Sequence, residues 1–233
     1  MSRRGALAVM PLHRHQIARL GDAGWRKVLD GEWDPQAREC LVHWAAQRLP
    51  LVVTRQDAHA GADAIALGLP APARWGRRRL ALSVARSDVL YFDEFEIADR
   101  ALNLLPASAR PAWRNLCCGL RAAGANARVY GSYGWQLLSG LAYVRAGSDV
   151  DLWLSVSDAD QADAVAACLQ SFPDLHPRVD GELMFGDGAA VAWREWLAWR
   201  AGCAKALLVK RIDGSALVRT PGWQGAAMLA AAA

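Results

Sequence analysis

The chain has 233 residues, 53% hydrophobic and 21% charged, with a formal net charge of +4. This composition excludes a disordered tail, and the length suffices for a buried core in one large or two small domains. The mild positive charge favours anionic partners, but no RRM, KH, zinc-finger or P-loop pattern accompanies it, so nucleic acid is not expected.

In chain order, the basic start and short apolar run of residues 1–15 are cut by Pro11, His13, Arg14 and His15, which argues against a signal peptide. The spacing of His13, Arg14 and His15 suits a metal, but without further ligands in sight they read as surface charges. Residues 36–49 read as a helix ended by Pro50, and residues 51–55 as a buried strand. The following segment is expected to break at Gly68, Pro70 and Pro72 and to resume as a strand near Leu80. Arg77, Arg78 and Arg79 form a basic run, read as solvated or as a guide for an anionic ligand. The acidic stretch 92–99 marks a change, dividing a small α/β module (1–88) from a second domain (89–233).

Residues 96–105 and 108–123 read as helices separated by Pro106. The next elements are a strand running into a glycine turn at 127–132 and a short helix from Tyr133 to Leu141. A strand at 149–156 precedes a helix that Asp158 would cap. Residues 177–185 and 189–196 read as two strands or a hairpin, and 206–218 as a last hairpin turning at Asp213-Gly214. The tail from Ala226 is frayed or a short helix. No apolar run approaches the roughly 20 residues of a membrane span. The five cysteines are odd in number and lack CxxC spacing, so reduced thiols and a cytoplasmic location are expected.

The stretch GSYGWQLLSGLAYVRAGSDVDLWLSV, residues 131–156, carries the chemistry. Strand side chains alternate, so Asp149 and Asp151 share a face about 7 Å apart, where two carboxylates repel unless a cation lies between them. Hard oxygens of this kind suit Mg²⁺, which completes its shell with water and substrate phosphates. Gly131 and Ser132 supply the other half, because a glycine turn opening a helix offers free N–H groups to an anion. A third carboxylate is expected from the next strand, where Asp180 and Glu182 share one face and both are candidates. Lys205 and Lys210 are candidate phosphate contacts that read equally as solvated charges. Trp135 and Gln136 either wall the pocket or pack, and Cys117 and Cys118 read as buried thiols.

This Gly-Ser, helix, hydrophobic-Asp-hydrophobic-Asp order resembles the active-site pattern of the nucleotidyltransferase superfamily related to DNA polymerase β, although the interval from Ser132 to Asp149 is longer than usual. The fuller wording, with VDGELMF, GAAVAWREW and ALLVKR after it, is similar over residues 125–213 to the malonate decarboxylase holo-[acyl-carrier-protein] synthases, which are phosphoribosyl-dephospho-CoA transferases. PLVVTR and GLPAP resemble that family's N-terminal part.

The resemblance implies an α/β protein whose second domain is nucleotidyltransferase-like with a mixed sheet. Its substrate would be 2′-(5″-triphosphoribosyl)-3′-dephospho-CoA, with Mg²⁺ as cofactor and the apo acyl-carrier subunit of malonate decarboxylase as partner. Asp149 and Asp151 carry over as catalytic; Asp180 and Glu182 rest on geometry alone. Transfer of another nucleotide such as AMP, or a non-catalytic carrier-binding module, are the alternatives. No membrane partner is expected.

Overall fold

The computed structural model describes residues 11–57, 61, 63–174 and 176–223; the first ten residues of the N-terminal run and the tail from Ala226 lie outside them. The first part is a five-stranded antiparallel sheet of β1 (Ile17–Leu20), β2 (Leu51–Val53), β3 (Ala64–Pro70), β4 (Arg79–Ala85) and β5 (Val89–Asp93), in the order β4-β3-β2-β1-β5. Its helices are α1 (Asp22–Leu29) and α2 (Pro35–Ala46). The start of α2 is fixed by Pro35 in the first turn and by Asp34, whose carboxylate accepts from the N–H groups of Gln36 and Ala37. Trp44 and Trp75 meet edge to face beneath the sheet, both fully buried.

A 3₁₀ segment, Ala98–Leu104, leads to α3 (Arg110–Ala122), β6 (Ala127–Tyr130), α4 (Gly131–Ser139) and β7 (Val150–Val156). Then come α5 (Ala159–Gln170), β8 (Val179–Phe185), β9 (Ala190–Ala192), α6 (Trp193–Arg200), β10 (Leu207–Lys210) and β11 (Ser215–Val218). The six strands form one mixed sheet, β11-β10-β9-β8-β7-β6, in which only β7 and β8 run parallel, joined through α5. The α/β class and the mixed sheet are those expected.

The face of this sheet nearer α3, α5 and α6 is apolar. Val150, Leu152, Leu154 and Val156 alternate along β7, at most 2% exposed, in one core with Trp113, Val165 and Trp196. Asp158 caps α5 as expected, its Oδ1 accepting from the N–H of Gln161 at 2.9 Å. Asp163 on α5 ties α6 in place, accepting from the Trp196 indole at 2.8 Å and from Arg200.

Two local expectations are corrected. Of the expected strand 189–196, Ala190–Ala192 is β9 but the chain is helical from Trp193, because Trp193, Trp196 and Leu197 recur at helical spacing and turn two indoles into the core. β3 runs unbroken through Gly68 to Pro70, carried by seven paired positions with β4. Residues 98–104 are helical as expected, in the 3₁₀ form. The hairpin turn at Asp213-Gly214 is as expected.

The two sheets meet along an interface with few but specific contacts. Phe95 stands edge-on to Trp135, with centroids 5.5 Å apart. The Tyr143 hydroxyl donates to the Pro70 carbonyl at 2.6 Å, and the Gln56 N–H donates to the Ile212 carbonyl at 2.8 Å.

Candidate active site

The second face of the mixed sheet carries the polar residues. Across the parallel pair, Asp151 stands opposite Asp180 and Trp153 opposite Glu182, so all four side chains project toward the N-terminal part. β6 brings Tyr130 beside Asp151, and the chain turns at once into α4.

That turn requires glycine. Gly131 has φ +61°, and a Cβ there would stand 2.0 Å from Oδ2 of Asp151. The carboxylate therefore lies against the first turn of α4, which no side chain caps; such N–H groups suit an anion. Gly181 is the counterpart on β8, where a Cβ would come within 2.0 Å of the Leu152 carbonyl.

Burial, followed by the neighbouring charges of Asp180, Asp149 and Glu182, pushes the Asp151 carboxyl up to about 6. Burial, followed by the charges of Glu182, Asp151 and Asp180, raises the Tyr130 phenol, which stays protonated. Asp149 precedes β7 and is held by Arg178 at 2.9 Å. Asp180 receives the N–H of Gly181 at 2.8 Å.

Glu182 is different in kind. Only 5% exposed, it accepts from Lys210 Nζ at 2.8 Å, from Arg14 Nη2 at 3.2 Å and Nε at 3.3 Å, and is bonded to His15 Nε2 at 2.9 Å. Burial opposes its ionisation, but the bonds from His15 and Lys210 and the charge of Arg14 outweigh that and hold the carboxyl well below its usual range. Of the two candidates on β8, Asp180 is thus the one opposite Asp151, and Glu182 is engaged by cations.

Between the sheets lies a cavity of about 750 Å³. Asp151, Gly131, Ser132, Arg14 and His15 line its polar end. Leu67, Leu69 and Leu80 from the first sheet face Phe95, Trp135 and Tyr143 across its apolar part, and Arg79 lines it from β4. Apolar walls with a few convergent polar groups are the usual form of a ligand site. Trp135 thus walls the cavity, whereas Gln136 accepts from the N–H groups of Tyr143 and Val144 and fastens the loop that brings Tyr143 in.

Arg14 and His15 overturn the surface reading of the N-terminal basic run: the sequence shows their charge but not a partner 168 residues away. The basic run 77–79 divides, with Arg78 bonded to Asp34 at 2.6 Å and Arg79 in the cavity wall. Lys205 is exposed on the approach to β10 and does not line the cavity. Cys117 is buried, its thiol pushed up to about 12, while Cys118 is exposed.

Asp151 and Asp180 oppose each other in register, a paired-carboxylate donor set of the kind Mg²⁺ takes together with substrate phosphate and water. Among the described residues no group of three or more His, Cys, Asp or Glu side chains is placed to hold a metal ion. No helix among them is long and apolar enough to cross a membrane.

A carboxylate pair set against an uncapped helix start, at one end of a cavity between two sheets, has the parts of a group-transfer site. The comparisons with known proteins agree. The profile described as phosphoribosyl-dephospho-CoA transferase MdcG C-terminal domain matches residues 96–221, and that of the MdcG N-terminal domain matches residues 13–95. A phosphoribosyl-dephospho-CoA transferase of Xanthomonas euvesicatoria pv. vesicatoria is 36% identical over 199 residues, covering 84% of this chain and 89% of the relative. One of Bradyrhizobium diazoefficiens is 37% identical over 206 residues, covering 87% and 88%. No solved structure matches the chain. The chain is a transferase. It belongs to the phosphoribosyl-dephospho-CoA transferase family.

Proposed function

We propose that the chain moves the phosphoribosyl-dephospho-CoA group from 2′-(5″-triphosphoribosyl)-3′-dephospho-CoA to a serine of the apo acyl-carrier subunit of malonate decarboxylase, with release of diphosphate. The observation that carries this reading is the Asp151 carboxylate set against the uncapped Gly131-Ser132 turn, at the polar end of a cavity large enough for a long nucleotide.

The reaction would be an in-line displacement of the nucleotidyltransferase kind. The serine oxygen bonds to the phosphorus nearest the ribose as the bond from that phosphorus to the diphosphate oxygen breaks. The first-turn N–H groups of α4 and the Ser132 hydroxyl hold the reacting phosphate's oxygens. Asp151 and Asp180 would hold Mg²⁺, and Asp149 would join them on releasing Arg178; when bound, the ion supplies charge neutralisation at the phosphate. Asp151, half-buried and free of any cationic side chain, is positioned to take up the serine proton. The apolar wall around Trp135 and Tyr143 suits the adenine and pantetheine portions, which places both domains on the substrate. Reaction within the cytoplasm belongs to the same reading.

Intact mass of the apo carrier subunit after incubation with the chain, Mg²⁺ and the triphosphoribosyl substrate tests it. The expected gain is one phosphoribosyl-dephospho-CoA group, lost in Asp149→Ala, in Asp151→Ala and with EDTA. An adenylyl-sized gain from ATP with none from the triphosphoribosyl substrate would replace this reading by AMP transfer. Carrier binding with no gain in mass from either would leave a binding module.

A further inference from the structure

Arg14, His15 and Lys210 meet at Glu182 from distant parts of the chain. Glu182 is buried with two permanent cations, Arg14 and Lys210, and with His15. Of the two permanent cations, Arg14 lines the cavity and Lys210 does not.

The geometry turns Arg14 toward the cavity. Arg14 turns Nε and Nη2 to Glu182, while Nη1 makes no hydrogen bond among the described residues and the side chain keeps 26% of its surface. It lines the cavity together with Asp151, Gly131 and Ser132. His15, the next residue, holds an unusual backbone, φ +62°, and stacks on Tyr130 with ring centroids 3.9 Å apart. Tyr130 is the residue immediately before the Gly131 turn, so Arg14 is anchored both to β8 and to the turn facing the reacting phosphate. A non-glycine residue kept at positive φ is the sort of strain that surrounding structure sustains at functional sites.

We propose that Arg14, contributed by the N-terminal domain, binds the diphosphate that leaves in the transfer reaction, and that Glu182 is the positioning residue that presents it. This rests on the transfer reading above. The forked guanidinium would give two N–H groups to diphosphate oxygens while its other edge stays on Glu182. The negative charge that builds on the leaving oxygen as the phosphorus–oxygen bond breaks then meets a fixed cation.

The test is calorimetric titration of inorganic diphosphate with Mg²⁺, and separately of dephospho-CoA, into the wild type, Arg14→Gln, Arg14→Lys and Arg100→Gln. Loss of a charge-assisted fork is expected to weaken diphosphate binding by about 10-fold or more in Arg14→Gln, with dephospho-CoA within about 2-fold of wild type. Arg14→Lys should fall between, because it keeps the charge but not the fork. Arg100→Gln, which removes an exposed cation outside the cavity, should leave diphosphate affinity in place. Glu182→Gln should weaken diphosphate binding too, and the Arg14→Gln/Glu182→Gln double variant should be no weaker than Arg14→Gln alone, a non-additivity that general loosening would not produce.

Unchanged diphosphate affinity in Arg14→Gln overturns the proposal, as does equal loss for dephospho-CoA or absence of diphosphate binding by wild type. Should Glu182→Gln fail to fold, the Arg14 variants decide. The titration needs neither carrier nor turnover, so Arg14-dependent diphosphate binding without carrier loading would sink the carrier reading and leave this one standing. Carrier loading with diphosphate binding indifferent to Arg14 would do the reverse.

Discussion

At the scale of single residues, Asp151 shows the conflict between a site and a stable fold. Its carboxyl titrates near 6 in the folded chain against an ordinary value of 3.8, so between those values the folded state holds a proton that the unfolded state has lost. Stability in the absence of metal therefore falls as pH rises through that window, and the loss is complete above it. Asp151→Asn is expected to melt higher than wild type at pH 8 in EDTA, by on the order of 2 kcal/mol, with the gain shrinking toward pH 4 and with transfer abolished. Melts of both proteins at the two pH values would check it, and an Asn variant that melts lower at pH 8 would refute it. Gly131→Ala meets a positive φ, costing about 1–2 kcal/mol, and a methyl that displaces Asp151. Both stability and transfer are expected to fall, measurable by denaturant titration and carrier mass. Gly131, Ser132 and Asp151 were legible in the sequence, because a glycine turn and strand alternation are local patterns. Arg14 and His15 were not, because their charges gain meaning only from Glu182.

At the scale of elements, alternation on β7 and helical spacing on α5 were legible because each buries one clean face. The run after β9 was misread because tryptophan and alanine serve strand and helix alike over a few residues, whereas burial of Trp193 and Trp196 at helical spacing and the bond from Trp196 to Asp163 hold it as a helix. That bond makes α6 a brace behind the mixed sheet, away from the cavity. Trp196→Ala is expected to cost about 3–5 kcal/mol in urea unfolding while transfer per folded molecule at 20 °C stays near wild type. A large fall in turnover without loss of stability would instead put α6 in the reaction. The different surroundings of Asp180, opposite Asp151, and Glu182, bonded to Lys210, come from register and from the position of β10, neither of which a single strand's wording contains.

At the scale of the molecule, two sheets enclose one cavity, and each supplies part of its wall. We expect residues 1–95 and 96–233, prepared as separate chains, to bind triphosphoribosyl-dephospho-CoA only when mixed. A C-terminal chain that binds it as tightly as the whole protein would show that the first sheet is dispensable. The acidic stretch 92–99 was legible as a change in composition, and the first sheet's β5 ends at Asp93; the cavity between the sheets was not legible, since it arises from contacts such as Tyr143 to Pro70 that join residues far apart.

The charged knot at Glu182 also sets an order in time. Arg14 leaves the ribosome well before Glu182 and Lys210, so the knot can close only once β10 has been made. The first sheet is complete long before that and can fold while it waits. A message cut short before β10 would then give a protein that is half folded and fully inactive, and the last strands act as the signal that synthesis has gone far enough to make an enzyme.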